Sequence, residues 1–248
     1  MTYIHFNRVS MRFPHFSKFA KAKKQQTALC GGRLEKTGHH SVSVCALEDL
    51  SFQLTAGDRV AVIGHNGAGK TTLFRLIAGL YAPTSGSISV SGRVSAIINL
   101  NFGLENNASG YENIIIRGLY LGMTKKQIHA QLDEMVDFAE LGDFLHLPLH
   151  TYSAGMRARL AFSVAIHRDA DILVLDEVLG TGDHAFLKKV RQKLHVFAQK
   201  ETILVFASHA DELLRQLCNK ALLLTQGQLT QMGPLEEVLS LYADQEVG

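Results

Sequence analysis

Gly64-His65-Asn66-Gly67-Ala68-Gly69-Lys70-Thr71 fits the phosphate-binding pattern G-x-x-x-x-G-K-[ST], and its flanks fit as well. Upstream, Arg59-Val60-Ala61-Val62-Ile63 reads as a short apolar strand. Downstream, Thr72 to Gly79 reads as a helix with apolar residues at 73, 76, 77 and 80. In a strand–loop–helix of this kind the glycines let backbone N–H groups turn inward around a polyphosphate. The new helix aims its positive end at the same charge. Lys70 is placed to neutralise β and γ phosphates, and Thr71 to ligate Mg2+ through its hydroxyl, with Thr72 beside it. A glycine-rich turn with no ligand has no need of a Lys-Thr pair at that offset.

Working outward, 248 residues make one large domain, or one domain with a subdomain, and 46% hydrophobic content supports a substantial core. The net charge of +2 gives no case for a nucleic-acid partner. No apolar run reaches the ~18 residues that span a bilayer, and the N-terminus carries no secretory apolar segment. Cys30, Cys45 and Cys218 are scattered without metal-ligand spacing and read as reduced thiols.

Alternation from Tyr3 to Val9 predicts an edge strand, and Leu47 to Leu54 predicts another strand. Between them, residues 14–45 form a basic insertion. Lys18, Lys21, Lys23, Lys24, Arg33 and Lys36 face one acid, Glu35, a net of +5 in a chain whose total is +2. The ordinary reading is a solvated loop. The functional reading is a contact with anionic lipid or a phosphorylated substrate. Ser87–Val90 and Val94–Ile98 read as a hairpin closed by Ser91-Gly92-Arg93. Residues 110–150 read as mostly helical, with one helix starting at Thr124-Lys125-Lys126-Gln127; Pro148 ends the region. From 153 onward helices alternate with the apolar runs Ile172–Leu175 and Thr202–Phe206, the pattern of a parallel sheet covered on both faces.

Polar residues stand at the ends of those runs. Asp176 is placed to hold Mg2+, Glu177 to polarise a water as general base, and His209 to hydrogen-bond a γ-phosphate or that water. Tyr152-Ser153-Ala154-Gly155-Met156-Arg157-Ala158-Arg159-Leu160 puts a Ser and a Gly at a helix start, a second anion site.

With that stretch the chain resembles the ATP-binding subunits of ABC transporters, whose signature loop reads L-S-G-G-Q where this chain has Tyr152-Ser153-Ala154-Gly155-Met156. The resemblance covers nearly the whole chain: Walker A at 64–71, signature at 152–156, Walker B at 172–176, Glu177, a D-loop ending at Asp183, and the switch residue His209. Within the family it looks like the subunits that energise export of O-antigen, capsule and teichoic acid. They share Y-S-x-G-M-x-x-R-L-A-F, here Tyr152–Phe162; D-E-V-L-x-x-G-D, here Asp176–Asp183; and G-x-E-N-I, here Gly110–Ile114.

The resemblance implies a P-loop NTPase core of α/β class. Its sheet is mixed and mainly parallel, joined by an antiparallel β subdomain and a helical subdomain at about 100–160. The expected organisation is one nucleotide-binding domain over residues 1–248 with no appended carbohydrate-binding domain. It also implies ATP and Mg2+, a homodimer, and an integral membrane permease to which residues 99–115 dock at the cytoplasmic face of the inner membrane. A lipid-linked glycan near 14–45 is suggested by charge alone. Cargo of another kind, lipid or drug, is the alternative, and a soluble non-transport ABC protein a remote one.

The chain departs from the family at two places. Where the family has Gln or Glu to sense Mg2+, this chain has Asn99, or Asn101 if the register slips by two. The aromatic that stacks on adenine matches Phe13, for which a core phenylalanine is the competing reading.

Overall fold

The computed structural model describes residues 1–16, 33–36, 41–100, 102–176, 184–208 and 210–247. The chain begins with β1 (Tyr3–Phe16), β2 (Arg33–Lys36), β3 (Ser41–Thr55), β4 (Arg59–Ile63) and α1 (Lys70–Ile77). It continues through β5 (Ser85–Ser91), β6 (Val94–Ile97), α2 (Gly110–Tyr120), α3 (Lys125–Ala130) and α4 (Leu132–Ala139). After α5 (Ala154–His167), β7 (Ile172–Leu175) and α6 (His184–Ala198) come β8 (Ile203–Phe206), α7 (Asp211–Leu217), β9 (Lys220–Thr225), β10 (Gln228–Pro234) and α8 (Leu235–Val247).

Among the described residues these strands make two sheets. One is antiparallel, in the order β2-β3-β1-β5; the other runs β10-β9-β4-β8-β7-β6 and is parallel except for the β10–β9 pair. Strands β7 and β8 are buried at every residue, as strands covered on both faces must be. One core lies between the sheets around α1, where Phe6 stacks on Phe52 at 4.6 Å and Phe74 is fully enclosed. Burying an aromatic of that size contributes about 1.5–3 kcal/mol. A second core packs α6, α7 and α8 on the other face of the parallel sheet, and a third joins the helices α2 to α5.

Four sequence expectations change. First, Tyr3–Val9 is not an edge strand: β1 runs on to Phe16 and lies between β3 and β5. Alternation shows which face of a strand is buried and is silent on which of its edges is paired. Second, Ser87–Ile98 is not a hairpin. β5 pairs with β1 in the antiparallel sheet, whereas β6 pairs with β7 in the parallel one. Arg93 anchors the crossing. Its N–H donates to the Asp171 carboxylate at 2.8 Å, and its carbonyl accepts from the N–H groups of Asp171 and Ile172 at 2.9 and 3.1 Å. The Arg93 backbone N–H, and its guanidinium at 3.3 Å, hold the Asp171 carboxyl below its usual range.

Third, the helix start at Thr124 forms as read, closed by a capping box with Gln127, but the helix breaks at Gln131 into α3 and α4. Periodicity misses a one-residue break when the apolar face resumes on the same side. Fourth, the described ends of the basic insertion are strands rather than loop. β1 and β3 pair as far as Phe16 and Ser41, and β2 runs beside Val42–Cys45. Lys18, Lys21, Lys23 and Lys24 lie outside the described residues.

His167 ties α5 to α4. Its Nδ1 sits 2.6 Å from the Ser163 carbonyl, its Nε2 3.8 Å from Glu134, and Phe138 lies edge-on to the ring. Burial lowers its pKa, with Lys193 acting in the same direction and the Ser163 carbonyl and Glu134 opposing. The folded state therefore disfavours the imidazolium that the unfolded chain accepts below 6.5. Stability should be fullest above that pH and decline as pH falls through and below it. Urea midpoints at about pH 7.5 and about pH 5.5 should diverge for the parent and converge for His167→Gln.

Candidate functional site

The phosphate loop is wedged between the two sheets. A Cβ on Gly64 would fall 2.3 Å from the Leu224 carbonyl oxygen of β9, and one on Gly69 would fall 2.8 Å from the Ala46 carbonyl oxygen of β3. Backbone bonds lock the wedge: the Gly227 N–H donates to the Ala68 carbonyl at 3.0 Å, and the Glu48 N–H donates to the Gly227 carbonyl at 2.8 Å. His65 leans on Tyr242 of α8, ring centroids 5.4 Å apart. Lys70 is buried, and its ammonium donates to the carbonyls of Gly64 at 2.5 Å and His65 at 3.4 Å. The ammonium is thus folded back over the loop, among the backbone groups that would surround a polyphosphate.

Thr71, on the first turn of α1, donates its hydroxyl to the Asp176 carboxylate at 2.6 Å. The parallel register delivers that contact. β4 ends into the loop and β7 ends at Leu175, so both run out at the same edge of the sheet. Asp176 is fixed there by its own N–H, which donates to the Ile97 carbonyl at 3.1 Å. A hydroxyl and a carboxylate are hard oxygen donors. The pair suits Mg2+, which takes one or two protein oxygens and shares the rest with phosphates and water.

Ser153 caps α5, its Oγ accepting from the Met156 N–H at 3.2 Å, and both Ser153 and Ala154 are exposed. The helix starts at Ala154 with Ser153 as its cap, so the N-terminus presented to solvent is Ser153-Ala154-Gly155 itself. Tyr152 is buried beneath it and donates to the Phe144 carbonyl at 2.5 Å; burial raises its pKa. Arg157 donates to the Asn106 side chain at 2.9 Å.

Phe13 is half-buried and lies edge-on to Tyr81, with centroids 5.6 Å apart, against the core between the sheets. A core phenylalanine would make the same contacts. Asn99 is exposed just past β6, and its carbonyl accepts from the Phe102 N–H at 3.3 Å. Asn101, Glu177, Asp183 and His209 lie outside the described residues. The structure therefore brings together the phosphate loop, Lys70, Thr71 and Asp176, and displays Ser153 to Gly155 on a separate layer.

Two residues hold this region in shape; Asn113 stood in the sequence only as part of the G-x-E-N-I match, and Arg117 was not singled out. Asn113 is fully buried on α2. Its amide donates to the carbonyls of Glu105, Ala108 and Ser109, and its Oδ1 accepts from the Glu105 N–H at 2.7 Å. Arg117, one turn on, is also buried and bonds carbonyls of α5 and of the loop after Asn99. The available signal was a polar residue at helical spacing within the apolar run of α2.

The family model described as ABC transporter matches residues 47–180. The chain belongs to the ABC transporter family. It is an ABC ATPase, and its relatives include ATP-binding proteins of O-antigen and teichoic acid export systems. It is 41% identical over 229 residues to the O-antigen export system ATP-binding protein RfbE of Yersinia enterocolitica, covering 92% of this chain and 96% of that protein. It is 34% identical over 234 residues to the teichoic acids export ATP-binding protein TagH of Listeria monocytogenes serotype 4b, covering 94% of this chain and 70% of that one. It spans only 46% of the O-antigen export system ATP-binding protein RfbB of Myxococcus xanthus, with 40% identity over 201 residues and 81% of this chain covered. The fold matches a dimeric, post-hydrolysis ATP-binding cassette, MJ0796 bound to ADP and Pi, at a TM-score of 0.70 and 18% identity, covering 94% of this chain and 98% of that one.

Asp176→Asn keeps a hydrogen-bond acceptor for Thr71 but removes the charge that favours a divalent cation. The variant should weaken ATP binding in the presence of Mg2+ by roughly tenfold, about 1.4 kcal/mol, and leave binding in EDTA unchanged. Titration of a fluorescent nucleotide under both conditions checks this.

Proposed function

We propose that this ABC ATPase drives translocation of a lipid-linked polysaccharide, of O-antigen, capsule or teichoic acid type, across the cytoplasmic membrane. In this reading two copies work head to tail beside a separate permease, at the membrane's cytoplasmic face. The observation that carries the mechanism is the 2.6 Å contact between Thr71 and Asp176 beside the wedged loop, set against an exposed α5 N-terminus on another layer. One chain then offers half of a nucleotide site and the complementary half of a second. The cargo rests on the likeness to RfbE over almost the whole of both chains.

The residues divide the work as follows. Gly64 to Gly69, with Thr72, turn backbone N–H groups and a helix N-terminus on the triphosphate, and Lys70 swings onto its β and γ oxygens. Thr71 and Asp176 hold Mg2+, with Asn99 as a further contact; bound there, the ion offsets phosphate charge. Ser153, Ala154 and Gly155 of the partner copy cap the phosphates from above, and closure excludes water other than the nucleophile. Glu177 takes a proton from that water, His209 donates to the γ-phosphate, and Asp183 meets the partner across the interface. Phe13 stacks on the adenine.

Phe102 and Tyr120, both strongly exposed and packed edge-to-face at 5.6 Å, lie in and beside the 99–115 region and offer the permease an aromatic foothold. Among the described residues no helix is long and apolar enough to cross a membrane, so the reading places the translocation path in that partner.

Two outcomes test the reading. Glu177→Gln should lower ATP turnover by roughly 10²–10⁴-fold and shift the protein to a dimer in size-exclusion chromatography with MgATP. A monomer under those conditions would sink the head-to-tail site. Neutralising Lys18, Lys21, Lys23 and Lys24 together should weaken binding to anionic vesicles by roughly tenfold or more. Unchanged vesicle binding would leave the basic insertion a solvated loop.

A further inference from the structure

Arg117 of α2 is 3% exposed, and no carboxylate among the described residues pairs with it. Desolvation alone brings its pKa down to about 10. A buried guanidinium of this kind is costly unless its donors are met. Here backbone carbonyls meet Nε and Nη1. Nε donates to the Ala161 carbonyl of α5 at 3.0 Å, and Nη1 donates to the Leu100 carbonyl at 3.0 Å and to the Phe102 carbonyl. One rigid fork thus joins three pieces of chain: α2, the signature helix, and the loop after Asn99.

That loop is also gripped from outside. Gly103, at φ +75°, sits so close to Tyr120 that a Cβ would fall 3.2 Å from the nearest atoms of that side chain. Phe102 packs its ring edge-on to Tyr120, and the two residues are 63% and 65% exposed. Arg117 and Tyr120 are three residues apart on α2, so one helix holds the loop's backbone with a cation and its aromatic tip with a ring. The Leu100 side chain meanwhile packs against the parallel-sheet core. Along α5, Ala161 lies eight residues from Ser153, about 12 Å of rigid helix.

We propose that Arg117 is a positioning residue that clasps the loop after Asn99 to the signature helix. When the α5 N-terminus engages nucleotide, the displacement of α5 is carried through the Ala161 carbonyl and the guanidinium to the carbonyls of Leu100 and Phe102. It emerges at the Phe102–Tyr120 aromatic patch. A methionine of similar length fills the same volume but bonds neither side. A lysine supplies one point donor and cannot hold two directions at once. The proposal rests on reading Ser153–Gly155 as the cap on a partner's nucleotide.

The test uses the full chain without permease, so its result is independent of whether that patch docks one. The protein contains no tryptophan, so F102W places a single emitter on the loop. In an E177Q background, MgATP should shift the emission maximum of F102W. Adding R117M should abolish the shift while the dissociation constant for a fluorescent ATP analogue stays within about twofold and the dimer still forms. R117K, which keeps the charge and guards against a folding defect in R117M, should show a reduced shift at the same affinity. A full shift in folded R117M or R117K, or no shift with Arg117 intact, would overturn the clasp. Loss of the nucleotide-dependent dimer in E177Q itself would instead count against the head-to-tail site.

Discussion

The structure depends on the close approach of two sheets around one loop. Leu224 of β9 and Ala46 of β3 press carbonyl oxygens against positions 64 and 69 at distances that leave no room for a side-chain carbon. The hydrogen bonds from Gly227 to Ala68 and from Glu48 to Gly227 close the gap from the hairpin side. A loop held this way has its backbone N–H groups committed in direction before any anion arrives. Binding then costs little ordering of the chain, which is what preorganisation means in free-energy terms. The antiparallel sheet therefore acts as the second jaw that gives the loop its shape.

Charge is handled differently in the two layers. At the sheet edge, Lys70, Thr71 and Asp176 are gathered where a polyanion and a hard cation would share them; Thr71 bonds Asp176, and Lys70 bonds loop carbonyls. In the helical layer, buried polar groups such as Asn113 and Arg117 are satisfied almost wholly by backbone carbonyls. Such groups contribute geometry more than stability, since apolar residues of equal volume would pack there without desolvation cost. They fix where the loop after Asn99 and the start of α2 sit relative to α5.

Much of this was legible in the residues. Strand β7 was read to the residue because four consecutive apolar side chains ending in Asp176 have few alternatives in a buried parallel sheet. The phosphate loop was legible because its chemistry demands residue types at fixed offsets. What failed were statements about partners rather than faces. Residues 87–98 alternate as a hairpin would, yet their two strands belong to different sheets, because the choice of neighbour is made by Arg93 and Asp171, seventy-eight positions apart. Arg117 was passed over for a similar reason. A single cation in an apolar run is unremarkable until the carbonyls of residues far along the chain are seen to surround it.

The parallel register has a consequence for how such a chain can vary over time. Advance per residue along a strand is about 3.3 Å, so deleting two residues from Ile172–Leu175 would withdraw the carboxylate by about 6.6 Å, beyond what side-chain rotation recovers. The outer end of the β1–β3 pair hangs from the far sheet, and its length enters no distance between Thr71 and Asp176. Heredity can lengthen or shorten that arm without moving Thr71 from Asp176, while the rim of the parallel sheet does not tolerate a change of count.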